Sequence, residues 1–122
     1  MPHVPVNDAI GWLITKDHLA QGEWPSRAGT CLTIEAYEDS TYIGGAMVYS
    51  RADERHPEII RDPVPFRLYD DDDELYYEGV IKRRWVEGDE RLPYSLFMFG
   101  ANDAGTTRLD VKLGARWETL IA

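Results

Sequence analysis

The chain has 122 residues and a formal net charge of −9, with 43% hydrophobic and 29% charged residues. These values are typical of one globular domain and exclude a disordered chain. The charge disfavours binding to a nucleic-acid phosphate backbone or to an anionic membrane, and no apolar run approaches the roughly 20 residues of a membrane helix. Cys31 is the single cysteine and the start, MPHVPVND, lacks the features of a signal peptide, so we expect a cytoplasmic protein.

The first half of the chain alternates between strand candidates and polar loops. Residues 1–8 contain two prolines and are expected to form a loose arm. Strands are predicted over residues 10–15, 30–37 and 41–50, where β-forming or alternating apolar residues occur. Asp17 suits the N-cap of a single helical turn, because its carboxylate can accept the free amides there.

The clearest pattern is a β-hairpin over residues 64–86, VPFRLYDDDDELYYEGVIKRRWV. Apolar and polar residues alternate on both sides of the aspartate run Asp70–Asp73. Strict alternation places one apolar set on one face, as a half-buried strand requires. We therefore expect this hairpin to begin a layer that the other strands complete.

The last third of the chain adds three strand candidates. Residues 93–99 (PYSLFMF) are apolar on both sides, residues 107–113 alternate almost without error, and residues 116–121 follow a turn. Strands at short intervals with little helix predict one all-β domain over residues 1–122. Its architecture would be a small antiparallel roll, barrel or sandwich of about seven strands, with at most one or two short helical turns.

The strand predicted over Pro93–Phe99 has apolar residues on both faces. Such a strand is either covered on both sides within one molecule or paired with a second copy. The second possibility predicts a homo-oligomer formed through Pro93–Phe99.

Four segments resemble a group of short uncharacterised microbial proteins. WLITKDHL (12–19), FRLYDDDDELYYEG (66–79) and RWETL (116–120) are similar to their W-x-I-T-x-D-H-like, F-R-L-x-D-D-D-x-E-x-Y-Y-E-G-like and W-E-x-L-like segments, and FGANDAGTT (99–107) is similar to a G-x-x-x-A-G-x-T-like loop. The resemblance implies a shared small β fold and no activity, because the group has no assigned function. Where its hairpin turn has glycine, this chain has Asp73, so we expect a longer or less tight turn.

The aspartate run has the alternate spacing of a calcium loop at Asp70, Asp72 and Glu74. An EF-hand loop also needs a glycine at its sixth position, where this chain has Leu75, and flanking helices. We therefore interpret the run as a solvated turn that discourages edge-to-edge pairing, and we predict neither a metal nor another cofactor.

Candidate catalytic residues are few. His3, His18 and His56 are far apart, and none has a zinc-motif partner. A nucleophile pair of Cys31 with a histidine would have to assemble in space, and no pattern indicates one. We predict that the protein is not an enzyme; the alternative is a small enzyme that uses His18, His56 or Cys31.

A basic patch at residues 82–85, KRRW, stands out in an acidic chain. If alternation continues through it, Lys82 and Arg84 share a face with Tyr76, Glu78 and Val80, and Arg67 lies on the neighbouring strand of that face. Basic and aromatic side chains together bind phosphate, stack on bases or form protein-binding hot spots, or they simply pair with acids across strands. The predicted binding residues are Arg67, Tyr76, Lys82, Arg84 and Trp85.

The leading hypothesis is therefore a non-enzymatic protein-binding module, with no direct contact to nucleic acid and none to a membrane. The second hypothesis is an acidic inhibitor, of a phage or plasmid type, that occupies a nucleic-acid-binding enzyme. It is based on the charge of −9 and on the acidic cluster Asp70–Glu74. Against it, the chain carries 13 basic residues, whereas a mimic of DNA is expected to present a more one-sided charge.

Overall fold

A computed structural model describes residues 10–20, 27–33, 50–51, 59–88 and 91–122. These residues form a seven-stranded antiparallel sheet with the order β3-β2-β1-β5-β4-β6-β7, and two helices. The strands are β1 (Ile10–Asp17), β2 (Thr30–Thr33), β3 (Ser50–Arg51), β4 (Pro63–Tyr69), β5 (Leu75–Lys82), β6 (Arg108–Leu113) and β7 (Arg116–Ile121). The helices are α1 (Arg83–Gly88) and α2 (Arg91–Ala104). The all-β class is confirmed, since the described strands form one sheet that holds about twice as many residues as the two helices.

The central hairpin is confirmed between β4 and β5. Their register runs from Pro63 opposite Lys82 to Leu68 opposite Tyr77. An aspartate side chain closes the turn: Asp70 Oδ1 accepts the backbone N–H groups of Asp72 and Glu74 at 2.9 and 2.8 Å. Asp73 has a φ of 61°, where the resembling pattern has glycine. The turn spans the five residues 70–74, which agrees with the expected longer turn.

Alternation along β4 and β5 places one apolar set on the face of the sheet that α2 covers, which we call the inner face. Val64, Phe66 and Leu68 are buried there. Phe66 lies opposite Gly79, and a Cβ at Gly79 would lie 2.7 Å from the Phe66 ring and 2.0 Å from the Leu13 carbonyl oxygen. The close approach of ring and backbone therefore requires glycine in this strand.

The strand predicted over Pro93–Phe99 is wrong, because this segment belongs to α2. Its buried residues Leu92, Leu96 and Phe99 recur at helical spacing and enter the main core. Pro93 is in the first turn, where a missing N–H is tolerated. Gly105, with a φ of 78°, ends the helix and donates its N–H to the Ala101 carbonyl at 3.0 Å. At 14 residues the helix exceeds the one or two turns expected.

Polar contacts fix α2 on the inner face at both ends. Trp12 Nε1 donates a buried hydrogen bond to Ser95 Oγ at 3.0 Å. Near the helix C-terminus, the Tyr77 hydroxyl donates to Asp103 Oδ2 at 2.5 Å, and Arg27 Nη2 lies 3.2 Å from Asp103 Oδ1. Burial raises the pKa of Tyr77 strongly, and the hydrogen bond to Asp103 raises it further. The hydroxyl therefore acts as a neutral donor that holds the helix.

The hairpin predicted to extend to residue 86 ends earlier, because the chain leaves β5 at Lys82 and forms α1. Strands are confirmed at the two C-terminal candidates, over the whole of residues 10–15 and at the start of residues 30–37. Asp17 accepts the N–H groups of Leu19 and Ala20 as an N-cap would, but these residues form no helical turn. The expected arm and residues 34–37 and 41–49 of the predicted strands lie outside the described residues. No described helix is long and apolar enough to cross a membrane.

Candidate functional site: the outer face of the sheet

The face of the sheet opposite α2, which we call the outer face, carries charged and aromatic side chains along four neighbouring strands. Cross-strand register places Arg67 of β4 opposite Glu78 of β5 on one side and Asp110 of β6 on the other. On β6 and β7, Lys112 lies opposite Trp117. The charged and aromatic residues of the outer face between β5 and β7 are Arg67, Tyr69, Glu78, Lys82, Arg108, Asp110, Lys112, Trp117 and Thr119.

Arg67 lies at the centre of this surface and is held from two directions. Its Nε donates to Glu78 Oε1 at 3.1 Å, and its guanidinium lies over the Trp117 ring, 4.1 Å from the centroid. Burial tends to lower the pKa of Arg67, but hydrogen bonds to Tyr69 and Glu78 raise it. A planar guanidinium fixed by a carboxylate and an indole is preorganised, while 35% of the side chain is still exposed.

Glu78 connects this centre to the end of β1. Its Oε2 lies 2.7 Å from His18 Nε2, while Oε1 accepts from Arg67. Burial alone would raise the pKa of Glu78, but the hydrogen bonds from His18 and Arg67 outweigh burial and lower it. Glu78 is therefore an anion in the folded protein that orients both neighbouring side chains.

Arg108 repeats the arrangement on β6. Its guanidinium lies over the Tyr69 ring, 4.3 Å from the centroid, and it contacts Asp73 of the hairpin turn. Its Nε is 3.2 Å from Asp110 Oδ1, which also accepts the Thr119 hydroxyl. Two arginine–aromatic pairs thus lie side by side, each oriented by an acid.

The same face is apolar on the other side of β5. Leu13 of β1 and Cys31 of β2 are buried there in a second cluster that includes Ile60. Val80 of β5 packs against this cluster from the edge of the charged area. Residues 59–60 therefore cover the apolar half, whereas no described helix covers the charged half.

The structure divides the predicted binding residues into two groups. Arg67 and Lys82 lie on the outer face, as alternation predicts. Tyr76 falls at the register shift of the β4–β5 ladder and packs against the main core, so it does not join them. Arg84 and Trp85 do not join them, because alternation stops at Lys82: Arg84 is exposed on α1, and Trp85 packs against the main core on the inner side. The shared face predicted for Lys82 and Arg84 is therefore wrong.

Sequence reasoning missed Trp117 and Arg108 as parts of this surface. Alternation in β6 places Arg108 on the polar side of its strand, but alternation in β7 groups Trp117 with Ile121, on the less polar side of that strand. The sequence does not show that β6 pairs with β4, which is separated from it by the β5 strand and both helices. Without that pairing, Trp117 cannot be placed beside Arg67.

The catalytic candidates do not come together among the described residues. Cys31 is buried with Ile10 and Leu13, and His18 pairs with Glu78. His3 and His56 lie outside the described residues. The alternative of an enzyme that uses these residues stays a prediction.

The acidic run has a local structural role at Asp70. Carboxylate oxygens of Asp70, Asp71 and Asp72 lie within 4.8 Å of one another, a spacing that a cation could bridge. Backbone hydrogen bonds from Glu74, a hydrogen bond from the Tyr76 side chain and one from the Asp72 backbone lower the pKa of Asp70. These bonds account for the position of Asp70 in the turn without an ion.

The chain matches no protein-family model, no curated protein and no solved structure. Its resemblance to the short microbial proteins therefore stays a prediction based on the segments quoted above.

Proposed function

We propose that the protein is a non-enzymatic protein-binding module whose contact surface is the outer face between β5 and β7. The observation that carries this proposal is the stacking of Arg67 on Trp117, with Arg108 on Tyr69 beside it. Arginine, tryptophan and tyrosine dominate protein-binding hot spots, because they combine large apolar area with directed hydrogen bonds. Here the arginines are already oriented, which lowers the entropy cost of binding.

The proposal keeps part of the predicted site and extends it. Arg67 and Lys82 stay in the surface, and Trp117 and Arg108 are added. Tyr76 is left out, because it packs against the main core. Arg84 and Trp85 are left out, since they lie on α1. The buried thiol of Cys31 is consistent with the cytoplasm, which we propose as the location.

The test is affinity capture from a lysate of the native host, read by mass spectrometry. Wild type is compared with Trp117→Ser and with the matched control Tyr94→Ser, which removes an aromatic side chain that is 49% exposed on α2. We expect a partner that wild type and Tyr94→Ser retain and that Trp117→Ser loses. Circular dichroism confirms that both variants are folded. Equal capture by all three proteins would show that binding, if any, uses another surface.

A second candidate is the acidic inhibitor of a nucleic-acid-binding enzyme. Exposure of Asp71–Glu74 at the tip of the hairpin supports it. Its complex would dissociate between low and moderate salt, because exposed charges are screened over about 10 Å at 0.1 M ionic strength. Neutralising Asp71 and Asp72 to asparagine would weaken such a complex and leave capture through Trp117 intact.

A further inference from the structure

The outer face has a charge opposite to that of the whole chain. Its described strand residues, counted from β1 to β7, include five basic side chains and two acidic ones, a net charge of +3 on a chain of −9. The acidic residues are Glu78 and Asp110. The basic residues are Lys16, Arg67, Lys82, Arg108 and Lys112.

Arg67, at the centre of this basic area, has more N–H donors than its hydrogen bonds to Glu78 and Tyr69 use. An arginine side chain has five N–H donors in a fixed plane. Glu78 and Tyr69 accept hydrogen bonds from this group, and the Trp117 ring covers one of its faces. The remaining edge matches the geometry of a carboxylate, which arginine binds with two parallel hydrogen bonds.

We propose, as an extension of the proposed function, that the partner is a protein that presents an acidic segment to this surface. A carboxylate of the segment binds the exposed edge of Arg67, and neighbouring carboxylates lie near Lys112 and Lys82. Trp117 supplies the apolar contact beside the central ion pair. Charge complementarity selects this partner, since an acidic segment is attracted by the outer face and by no other described sheet face.

Two other occupants fit the observations less well. A second copy of the chain, related by a two-fold axis, would place this basic face against itself, and like charges would repel. A nucleic acid presents a continuous track of phosphates, and Glu78 and Asp110 interrupt the basic area where this track would run. An acidic protein segment has separated carboxylates that can alternate with these two acids.

The test uses the full chain and a short blocked polyglutamate peptide, followed by two-dimensional NMR at low salt. The indole N–H of Trp117, assigned with Trp117→Phe, reports binding at the surface. We expect polyglutamate to shift this resonance, and polyglutamine of equal length to leave it unchanged. Arg67→Gln should weaken binding by about tenfold or more, the effect of losing a charged hydrogen bond. The matched control Arg83→Gln on α1 changes the net charge equally and should leave binding within about twofold.

Several results would overturn the inference. One is no shift with polyglutamate, or shifts away from Trp117. Another is equal binding by Arg67→Gln and Arg83→Gln. Tighter binding of an oligothymidylate at Trp117 would assign the face to nucleic acid. This inference can fail while the proposed function holds. If capture of a partner is lost in Trp117→Ser but kept in Arg67→Gln, the protein is still a binding module and the acidic segment is rejected.

Discussion

Phe66 and Arg67 are neighbours in β4 and belong to two different environments. Phe66 is buried on the inner face against Gly79, within a core that α2 covers. Arg67 lies on the outer face between Glu78 and Asp110, partly exposed. One strand therefore contributes to folding on one side and to the candidate binding surface on the other.

This difference shows how a small sheet can separate stability from recognition. Burial of apolar area on the inner face supplies the folding free energy. The ion pairs of the outer face are partly solvated, so each contributes little to stability. Under the proposed function, these pairs orient Arg67 and Arg108 for contact with a partner.

The strongest test of the comparison is Phe66→Ala. Removing a buried aromatic side chain leaves a cavity and should lower the free energy of unfolding by about 3 to 5 kcal/mol. Urea denaturation followed by tryptophan fluorescence measures the change. A loss below about 1 kcal/mol would mean that the inner face is not the main core.

A smaller loss is expected for Ser95→Ala on α2. This change removes the oxygen that accepts the buried Trp12 indole hydrogen bond and should lower the free energy of unfolding by about 1 to 2 kcal/mol. The control is Thr119→Ala on the outer face, where the lost hydrogen bond to Asp110 is exposed. Equal losses for the two variants in the same denaturation experiment would contradict the contrast between the faces.

Arg67→Ala, next to Phe66, should lower the free energy of unfolding by at most about 1 kcal/mol, because the pairs with Glu78 and Trp117 are partly solvated. The same variant should lose the surface-dependent capture described above. A loss as large as that of Phe66→Ala would show that the outer face is part of the folding core.

The smallest expected effect concerns acid stability and Glu78. The pKa of Glu78 is lowered in the folded protein. Its contribution to the free energy of unfolding is therefore complete above its ordinary pKa of 4.5, and this contribution is lost as the pH falls through the lower pKa of the folded state. Glu78→Gln should therefore flatten the decline in melting temperature below pH 4.5. Glu87→Gln on α1, where the carboxylate is 58% exposed, is the control and should behave as wild type. If the melting temperature of Glu78→Gln declines with acid as it does in wild type, the charge of Glu78 does not stabilise the folded protein through His18 and Arg67.

Period-two alternation made the strands on either side of the aspartate run and near the C-terminus predictable from the sequence. The pattern shows which side chains share a face within a strand, and so it placed Arg67 and Lys82 together. It misplaced Tyr76, because the register shifts there and this side chain packs against the main core. It failed for Pro93–Phe99, because a short run rich in apolar and aromatic residues is compatible with both helix and strand. The burial of Leu92, Leu96 and Phe99 against the sheet decided for the helix.

The sequence by itself determined the class, the central hairpin, the charge and the polar side of β4, β5 and β6, because these depend on neighbours along the chain. Only the tertiary structure decided that β6 lies beside β4, that Trp117 stacks with Arg67, and that Trp85 packs against the main core. These contacts join residues tens of positions apart. They depend on which strands pair so that the apolar side of the sheet is buried under α2. The local periodicity of the sequence does not show which strands pair.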